Sequence, residues 1–314
     1  MLKNEIVNDY YKSLNGNYED LKKNYINEAP FPNIELKNFF NEEFLNKVLN
    51  EFPDLSKKRS ENYNNKNEIK FANNDYNNFS PNIKLIFNYL NSDEFILFLQ
   101  SITSIKERLI ADKDLNGGGL HEIKRGGLLK IHTDFNRHPS LELDRRLNVL
   151  IYLNKAWQES YGGHLQLWDK DMKNCKKKYL PEFNKMVVFG TTDFSNHGHP
   201  DSLSCPDNRS RKSLATYYYS NGRPKEEIIN RQLKNRTNFK DREGFGNETN
   251  TKDENFKDFL RNFNFYQSLK KIEKKFFKFS SFLIVSLPNP SLSLKLVLFF
   301  NCLFIISSFG LPFE

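Results

Sequence analysis

The stretch KIHTDF, Lys130 to Phe135, sets a histidine and an aspartate two positions apart, and SNHGHPDS, Ser195 to Ser202, brings further histidines. Residues two apart on a β-strand point to the same face. His132 and Asp134 therefore share a direction, and His197 from a later strand or loop would complete a face of three ligands. Two imidazoles and a carboxylate on one face of an octahedral cation leave three positions open, the donor set of non-haem Fe(II) sites. The cysteines Cys175, Cys205 and Cys302 have no CxxC spacing and offer no competing thiolate pair. Arg211 opens the run RKSLATYYYS. Its planar fork suits the far carboxylate of a bound dicarboxylate, which it can grip through two hydrogen bonds.

These residues need strands to position them, and the sequence supplies a run of them. From Gly117 the apolar period is two: GGGLHEIKRGGLLKIHTDF reads as strand, Gly-Gly turn, strand. RRLNVLIYLN, GGHLQLWD, KMVVFGTT and RKSLATYYYS follow. Gly126–Gly127 and Gly162–Gly163 are turns first, because positive φ comes cheaply to glycine. Upstream the pattern is helical. Asn41 caps a helix whose stripe is Phe44, Leu45, Val48, Leu49 and Phe52, ending at Pro53; Ser92 caps another. Phe31 to Leu36 reads as a short strand with Ile34 and Leu36 on one face, and residues 55–80 as a long loop. Short strands with helices gathered upstream predict a mainly β protein with flanking helices, a jelly roll or related barrel. The organisation expected is a polar N-terminal extension over 1–27 with little to anchor it, a principal domain over 28–224, a charged Asn/Lys-rich extension over 225–280 and a hydrophobic tail over 281–314.

Composition narrows the classes. The 314 residues carry a formal charge of +8. The lysines are dispersed, densest at Lys173–Lys178 and Lys270–Lys278, and no basic helix is interleaved with base-stacking aromatics, so no nucleic-acid partner is expected. NGGGLHEIK lacks the Lys-Ser/Thr ending of a phosphate cradle. An odd cysteine count without a framework, and a polar start without a leader-like segment, predict a cytoplasmic protein. The uncharged run 296–313 is at the lower edge for a membrane span. Membrane association through that run and a tail docked on protein both stay open.

In combination, GGGLHEIKRGGLLKIHTDFNRHP, LDRRLNVLIYLNKAW, YGGHLQLWD, SNHGHPDSLSCP and RSRKSLATYYYS resemble the 2-oxoglutarate and Fe(II)-dependent dioxygenases of the prolyl 4-hydroxylase-like group, over about residues 28–224. The resemblance implies a double-stranded β-helix. It implies His132, Asp134 and His197 as iron ligands, with His197 preferred to His199, and Arg211, ahead of Arg209, as the 2-oxoglutarate-binding cation. It implies Fe(II) as cofactor and 2-oxoglutarate and O2 as cosubstrates. A substrate C–H bond, prolyl or in a small metabolite, would be hydroxylated with release of succinate and CO2. Gln166 departs from the pattern, which has Glu there.

The other polar candidates have structural readings. Asn148, Leu150 and Tyr152 alternate to one strand face, lining the cosubstrate pocket or filling core. Arg145 and Arg146 read as surface salt-bridge partners sooner than as binders of an acidic substrate, and Tyr217–Tyr219 as strand packing. His121, His138 and His164 read as packing or loop residues. Two other functions keep the same barrel or tail: a non-catalytic metal- or sugar-binding jelly roll, and a membrane-tethered assembly factor.

Overall fold

Alternation within single strands divides the molecule into layers. On Lys185–Gly190 (β10), Met186 and Val188 join the large cluster under the helices, while Val187 and Phe189 join a second cluster with Phe31, Tyr152, Leu165 and Leu167. A strand buried on both faces must lie between a helical layer and a second sheet. In the computed structural model, which describes residues 5–57, 60–227, 237–240 and 247–249, that is the arrangement.

The larger sheet runs in the order Asn33–Lys37 (β1), β10, Asp144–Tyr152 (β7), Ser210–Ser220 (β12), Gly119–Lys124 (β5), Ile69–Asn73 (β3) and Glu61–Asn64 (β2), with the short Ile110–Ala111 (β4) also paired to β12. The smaller sheet contains Leu129–Thr133 (β6), His197–His199 (β11), Leu165–Trp168 (β8) and Cys175–Tyr179 (β9). Asn238–Lys240 (β13) and Asn247–Thr249 (β14) extend it on the β6 side. Every strand pair is antiparallel, including the two in which β7 is flanked by β10 and β12. Two facing antiparallel sheets built this way form the double-stranded β-helix expected from the sequence.

The helices are Asp9–Ser13 (α1), Glu19–Asn27 (α2), Glu42–Glu51 (α3), Pro81–Leu90 (α4) and Asp93–Thr103 (α5). The Asn41 side chain accepts from Phe44 N at 3.0 Å, and Ser92 Oγ from Phe95 N at 3.3 Å, so both expected caps are made. Their apolar stripes cover Leu147, Val149, Ile151, Leu214 and Tyr218 on the outer face of the larger sheet. Tyr218 fixes that contact by donating to the Leu90 carbonyl at 2.7 Å.

Three expectations need correction. The N-terminal segment is anchored: Ile6, Val7, Tyr11 and Tyr25 are buried in the same core as Phe39 and Phe98. Ile6 and Val7 precede α1, Tyr11 lies in α1 and Tyr25 in α2, so no single stripe announces the four. Residues 55–80 contain β2 and β3, which extend the larger sheet at β5. Finally, β5 and β6 flank the Gly126 turn but enter different sheets, so this turn closes no hairpin.

The described residues all fall in one compact unit. The hydrophobic run 296–313 and nearly all of the expected 225–280 extension lie outside the described residues. Among the described residues no helix is long and apolar enough to cross a membrane.

Candidate metal centre

β6 and β11 are neighbours, and their register sets His197 directly opposite His132. Gly198 permits this approach, because a Cβ there would lie 2.6 Å from the Lys130 carbonyl oxygen and 2.8 Å from that of Leu129. The rings of His132 and His197 stand with centroids 4.4 Å apart. Asp134, just past the end of β6, turns its carboxylate toward both. Its Oδ1 is 3.6 Å from His132 Nε2 and its Oδ2 is 3.4 Å from His197 Nε2. Ligand atoms of all three residues lie within 4.8 Å of one another, the one such cluster among the described residues.

The donor chemistry fits a divalent cation. His132 Nδ1 is 2.8 Å from the Lys130 carbonyl and His197 Nδ1 is 2.8 Å from that of Ser195. A carbonyl only accepts, so each Nδ1 carries the proton and each Nε2 presents a lone pair to the shared space. Burial, above all, pushes His197 down to about 4, which keeps it neutral. Burial alone would raise Asp134, but Arg145 and then the two histidines hold its carboxyl well below the ordinary range. A neutral imidazole at His197 and an ionised carboxylate at Asp134 are protonation states a metal requires. Neither Cys175 nor Cys205 belongs to the cluster.

Asp134 is itself held. Asn148 Nδ2 donates to Oδ2 at 2.6 Å and Arg145 Nη2 at 3.0 Å. Arg145 also donates through Nε and Nη2 to Asn148 Oδ1, and its guanidinium lies over the ring of Tyr217 at 3.5 Å and that of Phe135 at 4.5 Å. Both Arg145 and Arg146 are buried, at 1% and 5% exposure, so the surface reading of this pair does not hold. The sequence period also misassigns the faces. Asn148, Leu150 and Tyr152 look inward, and strict alternation would send Arg146 in with them. Between Tyr218 and Tyr219 the β7–β12 register shifts, so that Tyr219 faces Arg145 and Arg146 is left over. This bulge turns Arg145 inward and Arg146 toward Glu107, 2.7 Å away.

Arg211 enters from β12 on the inner face, 5% exposed. Its Nε donates to the Gly163 carbonyl at 2.8 Å and an Nη reaches Tyr152 Oη at 3.3 Å. The cation and Tyr152 thus sit together at the inner end of the inter-sheet space. Leu165, Leu167, Val187 and Phe189 wall that space, Phe189 packing on His197 at 4.7 Å. Of the other candidates, His164 is paired with Glu159 at the surface, and His138 Nδ1 accepts from the backbone of Ser140 and Leu141. Gln166 accepts from Trp168 Nε1 and takes no part in the cluster. His121 and His199 lie within the barrel, where Arg211 is among the charges facing each of them.

Comparison with known proteins agrees with this geometry. Residues 118–219 match the 2OG-Fe(II) oxygenase superfamily. A mouse protein, prolyl 3-hydroxylase OGFOD1, is 33% identical over 79 residues, which is 24% of this chain and 14% of that protein. A Trichoplax adhaerens prolyl hydroxylase, solved with a hypoxia inducible factor peptide fragment, shares the fold at a TM-score of 0.50 and 16% identity, over 68% of this chain and 94% of that one. A Pseudomonas putida prolyl-4-hydroxylase aligns at a TM-score of 0.47 and 15% identity, over 64% of this chain and 100% of that one. The matched segment carries all four of the residues His132, Asp134, His197 and Arg211, and over that segment the chain is similar to the 2OG-Fe(II) oxygenase superfamily.

Proposed function

We propose that this chain is an Fe(II)- and 2-oxoglutarate-dependent dioxygenase that hydroxylates a substrate C–H bond with release of succinate and CO2. The observation that carries the reading is the meeting of His132, Asp134 and His197 within 4.8 Å, in a buried space that also receives the Arg211 guanidinium. When bound, Fe(II) supplies the oxygen chemistry that couples decarboxylation of the keto acid to hydroxylation.

The chain's own residues do the rest. His132 and His197 offer Nε2 lone pairs whose direction is set by their Nδ1 bonds to backbone. Asn148 and Arg145 fix the Asp134 carboxylate, so one oxygen is oriented before any metal arrives. Arg211 and Tyr152 stand where a dicarboxylate's far end would be gripped, by a charge-assisted bond in a space of low polarity. The apolar wall of Leu165, Leu167, Val187 and Phe189 keeps bulk water from that end.

For the substrate, the named relatives favour a peptidyl group, a prolyl side chain in the first instance; a small metabolite is the other class. The unpaired Cys175 and Cys205 support a reducing compartment such as the cytoplasm, and cell fractionation tests this. The enzymatic test is direct. Purified protein converts 2-oxoglutarate to succinate only with Fe(II) and O2, and His132→Ala abolishes the conversion. Intact turnover in that variant overturns the assignment.

A further inference from the structure

His199 occupies a position that the metal centre does not explain. It lies two residues beyond His197 on β11, across a register shift in the pairing with β6, and the groups that face its ring, Arg211 and His132 among them, place it between the sheets. It is 3% exposed, and neither Nδ1 nor Nε2 has a hydrogen-bond partner. A buried imidazole with both nitrogens idle forgoes two hydrogen bonds that water would have given it. The titratable groups facing it are Arg211, Lys70 and His132. Lys70 is itself paired with Glu68 at 3.3 Å. Two strand residues advance about 6.6 Å, of the same order as the length of a five-carbon dicarboxylate. A ligand anchored at the His132–Asp134–His197 cluster and reaching inward therefore brings its far end to the level of His199.

We propose that His199 is a cosubstrate-binding residue, donating a ring N–H to the far carboxylate of the dicarboxylate that Arg211 grips. This rests on the oxygenase reading above. Arg211 already uses Nε on the Gly163 carbonyl and an Nη on Tyr152, so a carboxylate has room for a further donor. A neutral imidazole provides it without a second buried cation: one guanidinium balances one carboxylate, and the histidine adds direction.

The test is ligand binding by the full chain loaded with Mn(II), which needs no turnover. Calorimetry compares 2-oxoglutarate with 2-oxopentanoate, which has the same keto-acid end and no far carboxylate. His199→Met is expected to weaken 2-oxoglutarate about 10- to 100-fold, with 2-oxopentanoate and Mn(II) affinities held within about 2-fold. His199→Gln, which restores an N–H donor, is expected to recover most of the loss. Equal 2-oxoglutarate affinity in His199→Met and the unsubstituted chain overturns the inference alone. If the unsubstituted chain does not prefer the dicarboxylate, the oxygenase reading falls as well. Should His199→Met fail to bind Mn(II), the unsubstituted chain loaded with Zn(II) decides by NMR. The His199 ring N–H signal must shift with 2-oxoglutarate and stay in place with 2-oxopentanoate; no shift overturns the proposal.

Discussion

Arg145 Nη2 stands 3.0 Å from Asp134 Oδ2, and the arginine is buried to within 1% of full enclosure. The guanidinium is the chief counter-charge of a carboxylate that must stay ionised to bind metal. The two charges support each other, since Asp134 offsets the burial that would otherwise lower Arg145 and raises it instead.

Arg145→Met should therefore expose the carboxylate's dependence on a cation. Breaking a buried pair by removing one partner costs about 3–5 kcal/mol, so the metal-free variant loses stability on that scale in urea denaturation. Mn(II) is a replacement counter-charge and should restore more stability to the variant than it adds to the unsubstituted chain. Equal losses with and without Mn(II) would mean that the guanidinium acts by packing on Tyr217 and not through Asp134.

Gly163→Ala tests the other end of the site. The backbone there has φ +73°, and a Cβ would lie 2.6 Å from Leu203 Cδ2 and 3.0 Å from Arg211 Cδ. Arg211 would have to retreat from the carbonyl that now fixes it. A misplacement of about 1 Å can cost up to 100-fold in rate. The expected result is a KM for 2-oxoglutarate raised about 10-fold or more, with Mn(II) affinity unchanged. A fall in metal affinity of similar size would place Gly163 in the support of the whole barrel.

Much of this arrangement was legible in the sequence because it follows the strand period. His132 and Asp134 share a face, Asn148 and Tyr152 share another, and β10 and β12 alternate between helix-facing and inward residues as their sequences read. What escaped depends on departures from that period. The bulge that exchanges Arg145 for Arg146 is a register shift between Tyr218 and Tyr219, visible only once β7 and β12 are paired. β11 is three residues long and centred on a glycine, so HGH showed no strand period and His197 could be assigned only to a strand or loop. The burial of Ile6, Val7, Tyr11 and Tyr25 arises from contacts distant in sequence, to which the short polar segments around them give no local clue.

The cap of α3 offers a control on stability that leaves the centre alone. Asn41 Oδ1 accepts from Phe44 N at 3.0 Å, at the start of a helix that buries Phe44, Leu45 and Val48. Asn41→Ala is expected to cost about 1 kcal/mol in urea denaturation, with Mn(II) and 2-oxoglutarate affinities unchanged. A change in either affinity would couple the helical layer to the site.

The last expectation concerns acid. Burial, with Lys70 and Arg211 adding to it, pushes His121 from the ordinary 6.5 down to about 3, and its Nε2 is sealed from solvent without a partner. The folded-state value is the lower one. As pH falls below 6.5 the unfolded chain takes up a proton that the folded chain refuses, so stability declines steadily until the pH approaches 3. One such group contributes a slope of about 1.4 kcal/mol per pH unit inside that window. Urea denaturation of the metal-free chain across the window should therefore show stability rising with pH. His121→Gln, which has no titrating ring, should flatten the rise by about that amount. A variant whose slope matches the unsubstituted chain would show that His121 is already charged in the folded state, in which case the ring must have found water or an acid at its inner nitrogen.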